Sequence, residues 1–132
     1  MTIASSGVPA AQSGQASAVK ESLDAADNDP VLRMIQTQVD RLEAEIDAMN
    51  TRLEPLRSFI LPGGNALAAH LHLSRTVARR AERCVTALTT AEDVNPAALR
   101  YLNRLSDWLF VAARLANLDA GGDILWVPGA SR

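Results

Sequence analysis

The sequence predicts an all-α helical bundle, and three observations lead to this prediction. Apolar residues make up 48% of the 132-residue chain and aromatic residues only 4%, and the apolar set is dominated by alanine and leucine, which are strong helix formers. Apolar residues also recur at spacings of three and four, the period of an amphipathic helix. Aspartate or asparagine followed by proline, a signal for the start of a helix, occurs twice. The length fits one domain.

Residues 1–28 differ in composition from the rest of the chain. They are rich in alanine, serine, glycine and glutamine and become acidic toward their end. This predicts a low-complexity, disordered segment with at most a short helix near Val19–Ala26, so the helical domain is expected to span residues 29–132. The segment lacks the features of signal and transit peptides, and no apolar run reaches the ~18 residues of a membrane span. We therefore expect a cytoplasmic protein with no membrane partner.

The first predicted helix begins with Asp29 as its N-cap and Pro30 at its first position, and Pro55 ends it. Its apolar residues alternate spacings of three and four: Leu32, Ile35, Val39, Leu42, Ile46, Met49 and Leu53. This pattern predicts a single seam that packs against other helices.

The second predicted helix spans about Ala66–Thr90 and follows a Pro-Gly-Gly turn, with Asn65 as its N-cap. At 100° per residue, one face is apolar: Val77, Ala81, Cys84, Val85 and Leu88. We expect this face to be buried, and Cys84, the only cysteine, to be a buried and unreactive thiol. The opposite face carries a row of arginines with one carboxylate between them: Arg75, Arg79, Glu82 and Arg83.

The third predicted helix begins at Asn95-Pro96 and continues to about Asn117. Its apolar residues spread over more than half of the circumference, which predicts a largely buried helix: Tyr101, Leu102, Leu105, Trp108, Leu109, Ala112, Ala113 and Ala116. Its polar residues form a narrow stripe with Phe110 at the edge: Arg100, Asn103, Asp107 and Arg114. Buried charges need partners, and the arginine face of the second helix is the nearest candidate. Two glycines close this helix, and ILWVPG follows as an extended segment.

The formal net charge of −2 conceals an uneven distribution. Residues 1–55 carry four basic and nine acidic side chains, whereas residues 56–114 carry eight arginines and four acidic side chains. A positive region suits an anionic partner such as a polyphosphate. A nucleic-acid partner is not expected, because the chain has one lysine and its arginines are interspersed with acids. His70 and His72 point in different directions on a helix, so no protein metal site is expected.

The arginine row has two interpretations. Such a row is most often a solvated helix face. The alternative is a phosphate-binding face, for which arginine is suited because its planar guanidinium binds phosphate oxygens bidentately and stays charged. Three arginines in i+4 register, oriented by a carboxylate, would hold a triphosphate. Asn103 and Asp107, one turn apart, would complete this site, and Phe59 would place an aromatic ring near the same end.

Three segments of the chain, SFILPGG (58–64), LHLSRTVARRAER (71–83) and YLNRLSDWLF (101–110), resemble the PduO-type ATP:cob(I)alamin adenosyltransferases. The resemblance covers roughly residues 31–128 and includes an LE-x-x-ID-like element at residues 42–47 and the closing ILWVPG. One segment alone would be a weak signal, whereas three in the family's order are specific. The resemblance implies the C-terminal helices of a five-helix bundle that forms a homotrimer, with active sites between subunits.

The resemblance also implies a reaction. The family transfers the 5′-deoxyadenosyl group of ATP to cob(I)alamin, which forms adenosylcobalamin and releases triphosphate. Because cobalt(I) is itself the nucleophile that attacks C5′, the protein has to position two large ligands, neutralise the triphosphate and exclude water. Mg²⁺ would be carried on the ATP phosphates.

The functional residues of the family carry over to matching positions of this sequence. The implied cobalamin-binding residues, of which the two aromatic ones favour base-off, four-coordinate cobalt(II), are Phe59, Arg75 and Phe110. The implied ATP-binding residues are Arg79, Glu82, Arg83 and Asn103, with Asp107 in a supporting role. Arg75 is similar to a residue that forms an ion pair between subunits. The implied catalytic residues are Arg75, Arg79 and Glu82.

The sequence departs from the family pattern in its first part. Family members begin with a glycine-rich TRTGD-x-G loop around the ATP phosphates and two further helices, whereas this chain contains no TGD. We therefore expect a truncated domain with little adenosyl transfer of its own. The competing hypothesis is a non-catalytic, truncated paralogue that binds cobalamin or oligomerises. A third hypothesis is an unrelated arginine-rich bundle that binds another protein.

Overall fold

A computed structural model describes residues 33–130 of the chain. This part contains three helices, α1 (Gln36–Asn50), α2 (Ala66–Leu88) and α3 (Pro96–Leu118). α3 is the central helix, because it packs against both α1 and α2, while those two do not pack on each other within residues 33–130. The predicted all-α bundle is confirmed. In the described part, no helix has the length and apolarity that crossing a membrane requires.

α1 begins and ends inside its predicted range. Residues 33–35 are not helical, and Ile35 is the N-cap, with its N–H donating to the side-chain oxygen of Gln38 at 3.0 Å. A continuous helix from Asp29 is therefore wrong over these described residues, because the Gln38 side chain satisfies a backbone donor that begins the helix there. The helix ends at Asn50, and two i→i+3 hydrogen bonds continue as a turn to Leu53.

The predicted seam of α1 is partly buried. Val39 and Leu42 are buried against α3, while Ile35 is 49% exposed. The expectations for residues 1–28, Asp29-Pro30 and Leu32 lie outside the described residues.

The start of α2 is tied to the end of α3. The Asn65 side-chain oxygen accepts from the Ala68 N–H at 2.8 Å, which confirms the predicted N-cap. Asn117 is fully buried, donates to the Gly63 carbonyl at 2.9 Å and accepts from the Asn65 N–H at 3.0 Å. Gly64 has a φ of +104°, and a Cβ there would overlap the Asn117 side chain. The Pro-Gly-Gly turn is thereby fixed on the C-terminal end of α3.

α3 is as enclosed as its sequence predicts. Asn95 caps it by accepting from the Ala97 N–H at 3.1 Å, and a proline occupies the first turn. Between Ala97 and Asn117 only Arg100 and Asn103 are exposed. The predicted cap and the predicted burial of this helix are therefore both confirmed.

α2 packs on α3 through the face opposite to the one predicted. Ala68, His72 and Ala78 are buried, whereas the predicted inner face is largely open: Val77 is 51% exposed, Leu88 is 45% exposed and Cys84 is exposed. The burial of that apolar face and of the Cys84 thiol was a wrong prediction. Along this contact α3 presents Asn103 to Glu82 and the Phe110 ring to His72 and Arg75, which are contacts that the apolar side of α2 does not offer.

The segment after α3 is extended, as ILWVPG predicts. Ile60 and Leu125 form an antiparallel bridge. The Leu61 N–H donates to the Ile124 carbonyl at 2.7 Å. This bridge joins the chain before the Pro-Gly-Gly turn to the chain that follows α3.

Candidate functional site

The predicted site residues fall into two regions of the described structure. The first is a polar line between α2 and α3, which begins at Glu82. The Glu82 Oε1 atom accepts a hydrogen bond from Asn103 Nδ2 at 3.0 Å. Of the predicted contact between the arginine face of α2 and the polar stripe of α3, this hydrogen bond is the part that forms: Arg100 donates to Gln36 of α1 instead, and Arg114 pairs with Asp123. Glu82 is half-buried and Asn103 is exposed, so the pair remains open to a ligand on one side.

Arg104 extends the polar line along α3. Its Nε and Nη2 atoms donate to Asn103 Oδ1 at 3.1 and 2.7 Å, and Nη2 lies 2.8 Å from Asp107 Oδ2. An asparagine amide has one accepting and one donating end. Arg104 occupies the accepting end and therefore directs the donating end of Asn103 toward Glu82. Asp107 supports the site through Arg104 rather than by facing Asn103 directly.

A cavity of about 420 Å³ lies beside the polar line, between all three helices. Its volume is within the range of small-ligand sites, about 300–1,000 Å³. Its walls combine two carboxylates, two guanidinium groups and two amides with smaller side chains: Gln36, Val39, Glu43, Glu82, Thr86, Leu99, Arg100, Asn103 and Arg104. Glu82 and Asn103 thus line a polar cavity as well as contacting each other.

Arg75 and Phe110 meet where α2 crosses α3. The Arg75 guanidinium carbon lies 4.9 Å from the centroid of the Phe110 ring, within the range of a cation–π contact. Arg75 Nε is buried and has no hydrogen-bond partner among residues 33–130. The ring of Phe110 also meets His72 edge-on at 6.3 Å. In this structure Phe110 lies at the helix interface and is not brought to the groove that contains Phe59.

His72 is a buried histidine that does not belong to the predicted set of site residues. It is 5% exposed, and its Nε2 atom has no hydrogen-bond partner in the described part of the chain. Burial holds the pKa of His72 below its ordinary value, and the neighbouring Arg75 charge acts in the same direction while Asp123 opposes both. His72 therefore contributes a neutral imidazole to the α2–α3 interface near neutral pH.

Arg79 and Arg83 lie on the exposed edge of the same α2 face. Each lies one turn, about 6 Å along the axis, from the preceding arginine of the row. Neither forms an ion pair with a carboxylate among the described residues. Their side chains are therefore exposed to solvent without a carboxylate partner in this part of the chain.

The second region is an aromatic surface before the Pro-Gly-Gly turn. Phe59 is 77% exposed, and its ring meets Trp126 edge-to-face with 6.0 Å between ring centroids. A groove of about 660 Å³ runs along the two rings and has mostly apolar walls: Leu56, Arg57, Ser58, Phe59, Trp126 and Pro128. An exposed phenylalanine over a groove of this size suits a large, flat ligand.

The two regions include residues that the sequence analysis did not place in a site. Arg104 follows Asn103 directly in the chain, and spacing alone gives no sign that it orients its neighbour. Trp126 was part of the ILWVPG segment, but its partner Phe59 is distant in the chain. Glu43 belongs to the polar side of α1, which resembles any solvated helix face until α3 closes the cavity.

The chain is similar in sequence to known members of one protein family. A family model described as cobalamin adenosyltransferase matches residues 11–116. The corrinoid adenosyltransferase of Mycobacterium tuberculosis is 52% identical over 105 residues, which is 78% of this chain and 53% of that protein. The corrinoid adenosyltransferase of Bacillus subtilis is 47% identical over 93 residues, 70% of this chain and 48% of that protein. The chain thus spans about half the length of these curated relatives.

Solved structures agree with this result. An arginine-to-lysine variant of the PduO-type adenosyltransferase from Lactobacillus reuteri, complexed with ATP, has a TM-score of 0.66 and 40% identity, covering 72% of this chain and 54% of that one. A phenylalanine-to-histidine variant of the enzyme from the same organism, complexed with cobalamin and ATP, also has a TM-score of 0.66 and 40% identity, covering 73% of this chain and 52% of that one.

Proposed function

Because the chain belongs to the cobalamin adenosyltransferase family, we propose that it takes part in transferring the 5′-deoxyadenosyl group of ATP to cob(I)alamin. The observation that carries this proposal is the orientation of α2. It turns its polar face toward α3 and so places the Glu82–Asn103 contact beside an open row of arginines. A helix that served only to pack would bury its apolar face instead.

The polar line is the proposed ATP site. Arg79 and Arg83 neutralise charge on the triphosphate, which is the leaving group, and thereby stabilise the transition state more than the bound substrate. Glu82 and Asn103 orient the nucleotide, with Arg104 holding the Asn103 amide in place. In the reaction, cobalt(I) supplies the electron pair of the new Co–C5′ bond, and the C5′–O bond breaks with its electrons going to the triphosphate.

We propose that Mg²⁺ enters this site as a companion of ATP. Among residues 33–130, no group of three or more histidine, cysteine, aspartate or glutamate side chains converges to hold a metal ion. Mg²⁺ usually binds through one or two carboxylates together with substrate phosphates and water. Glu43 and Glu82, which share the polar cavity, are the carboxylates that would support a phosphate-bound Mg²⁺ there.

The aromatic surface is the proposed corrin site. Phe59 would lie against the lower face of the corrin, where its ring keeps water and the lower base away from cobalt. This role needs an aromatic side chain that is exposed before the ligand binds, and 77% of Phe59 is exposed. Phe110, at the helix interface, would act on the corrin only through Arg75, which contacts its ring.

A homotrimer is proposed on two observations. The outer face of α2 exposes apolar side chains, including Leu73 and Val77, and such faces mark interaction surfaces. The Arg75 guanidinium, whose residue is half-buried, forms no ion pair with a carboxylate among the described residues, which leaves it available to a carboxylate of a neighbouring subunit. The cytoplasmic location expected from the sequence stays a prediction.

The test measures ligand binding and turnover separately on the purified chain. ATP binding is followed by calorimetry, cob(II)alamin binding by absorbance, and adenosylcobalamin formation after chemical reduction with ATP and Mg²⁺ present. Binding of both ligands with turnover supports the full proposal. Corrinoid binding without turnover supports the alternative of a non-catalytic corrinoid-binding protein, and binding of neither ligand contradicts both. Size-exclusion chromatography of the same sample tests the homotrimer.

A further inference from the structure

The segment that follows α3 is apolar, exposed and yet firmly held. Ile124, Leu125, Trp126 and Val127 are each more than 40% exposed. A loose chain end of this composition would be expected to collapse onto the helices. Instead the segment is held in an extended form, in which its side chains remain available to a ligand.

Hydrogen bonds hold Trp126 directly opposite Phe59. The bridge between Ile60 and Leu125 makes these two aromatic residues a cross-strand pair. The Trp126 N–H donates to the Phe59 carbonyl at 2.8 Å, and the Ser58 hydroxyl donates to the Trp126 carbonyl at 2.9 Å. The backbones of the two residues are therefore fixed relative to each other.

A buried ion pair anchors both sides of this pairing. Arg114 Nε lies 3.0 Å from Asp123 Oδ2, and both side chains are almost fully buried. Arg114 Nη2 also donates to the Glu54 carbonyl at 2.8 Å. Asp123 immediately precedes the exposed segment, and Glu54 lies five residues before Phe59. One guanidinium on α3 therefore holds the start of both segments. The aromatic pair thus stands on a rigid base.

The rings of Phe59 and Trp126 have different roles at the groove. Phe59 is the more exposed ring, and the edge-to-face contact at 6.0 Å and 73° is the side-chain aromatic contact that limits how it turns. An exposed aromatic side chain without such a neighbour exchanges between rotamers quickly. A ring that excludes water from cobalt has to keep one orientation under the corrin.

We propose that Trp126 is a positioning residue that fixes the Phe59 ring beneath the corrin, and that it thereby sets how much bound cobalt(II) corrinoid is four-coordinate. This inference rests on the proposed corrin site. Trp126 acts through Phe59 and through the width of the groove, and it does not contact the reacting atoms.

The experiment compares Trp126→Leu, which keeps an apolar side chain but removes the ring, with Trp126→Phe, which keeps an aromatic edge. Val127→Ala is the matched control, because it is the exposed neighbour in the same segment and does not line the groove. Each variant is titrated with cob(II)alamin in the presence of ATP. Electron paramagnetic resonance gives the four-coordinate fraction, and absorbance gives the affinity.

We expect Trp126→Leu to lose most of the four-coordinate fraction while its corrinoid affinity falls much less, and Trp126→Phe to retain most of both. Proton exchange of the Leu61 amide, which the bridge protects, shows whether the segment still pairs in each variant. An unchanged four-coordinate fraction in Trp126→Leu overturns this inference and leaves the proposed function intact. An equal loss in all three variants shows a merely structural role and also overturns it. Absence of corrinoid binding by the unaltered chain overturns the proposed function and this inference with it.

Discussion

α2 turns polar side chains toward the protein interior and apolar side chains toward solvent, whereas a typical surface helix does the reverse. The face against α3 carries His72, Arg75 and Glu82 beside two buried alanines, Ala68 and Ala78, while the outer face exposes Leu73, Val77 and Leu88. Burying polar groups costs free energy unless they find partners. Two of the buried atoms, His72 Nε2 and Arg75 Nε, have no hydrogen-bond partner within residues 33–130.

This inversion shows where function outweighs packing. A polar face at an interface is retained when its groups serve a ligand or a partner, and buried polar groups with perturbed environments tend to cluster at functional sites. On α2 the polar face carries an open row of arginines, and Glu82 of this face lines a cavity. The outer face, in contrast, has the composition of a surface that binds another protein surface.

The turn that leads into the polar face should be the most sensitive position. Gly64→Ala should destabilise the fold by about 2–5 kcal/mol, because it combines an unfavourable positive φ with overlap on the buried Asn117 side chain. Gly121→Ala is the control: its φ is +96°, but nothing lies within 4 Å, so only about 1–2 kcal/mol should be lost. Urea unfolding measures both, and equal losses would show that the Asn117 contact does not fix the turn.

The inversion itself can be tested with one substitution on each side of α2. Ala78→Leu should cost about 1–3 kcal/mol because it overfills the contact with α3. Ala87→Leu, at an exposed position of the same helix, should change stability by less than about 0.5 kcal/mol. The free energy of unfolding is measured for both variants. A larger loss at Ala87 would contradict the packing of α2 on α3 through Ala78.

ATP binding by the arginine row should depend on the planar shape of the guanidinium group and not only on its positive charge. Arg79→Lys keeps the charge but removes the planar fork, so ATP binding should weaken by about 1–3 kcal/mol, the range for hydrogen bonds to charged groups. Arg80→Lys, the exposed neighbour off the row, should leave the affinity unchanged. Calorimetric titration with ATP compares them. Equal affinities of the two variants and the unaltered chain would make the row an ordinary solvated face.

His72 should give the smallest effect, visible in the pH dependence of stability. Burial lowers its pKa in the folded state below the ordinary value of 6.5. The unfolded chain therefore binds the proton more readily, and stability should fall as the pH drops below about 6.5, until the folded-state pKa is also passed. His72→Gln should flatten this part of the profile relative to His70→Gln, which alters an exposed histidine. Identical profiles from pH 7 to 5 would contradict the prediction.

The sequence predicted those parts of the fold that depend on neighbouring residues. The asparagine caps of α2 and α3 were found because a cap is a contact over two or three residues. The start of α1 was misplaced because Gln38 satisfies the Ile35 N–H, although Asp29-Pro30 carries the stronger sequence signal. Periodicity identified α2 as amphipathic but ranked its faces by hydrophobicity alone, and it could not register that α3 offers polar partners.

The candidate site likewise has a part that the sequence predicted and a part that only the packed chain defines. The contact between Glu82 and Asn103 followed from matching one polar stripe to another. Arg104 and Trp126 could not be found, because their roles depend on distances that only the packed chain defines. The assignment of Phe59, Arg79 and the other site residues to ligands stays a prediction.

The most direct test of this account is the cobalt(II) spectrum of the Phe59→Ala variant with cob(II)alamin and ATP bound. Leu67→Ala is the matched control, since Leu67 is an apolar side chain on α2 that is 61% exposed and lies outside the groove. We expect Phe59→Ala to lose the four-coordinate signature while its corrinoid affinity changes less, and Leu67→Ala to keep the signature. A four-coordinate spectrum that persists in Phe59→Ala would contradict the proposed corrin site.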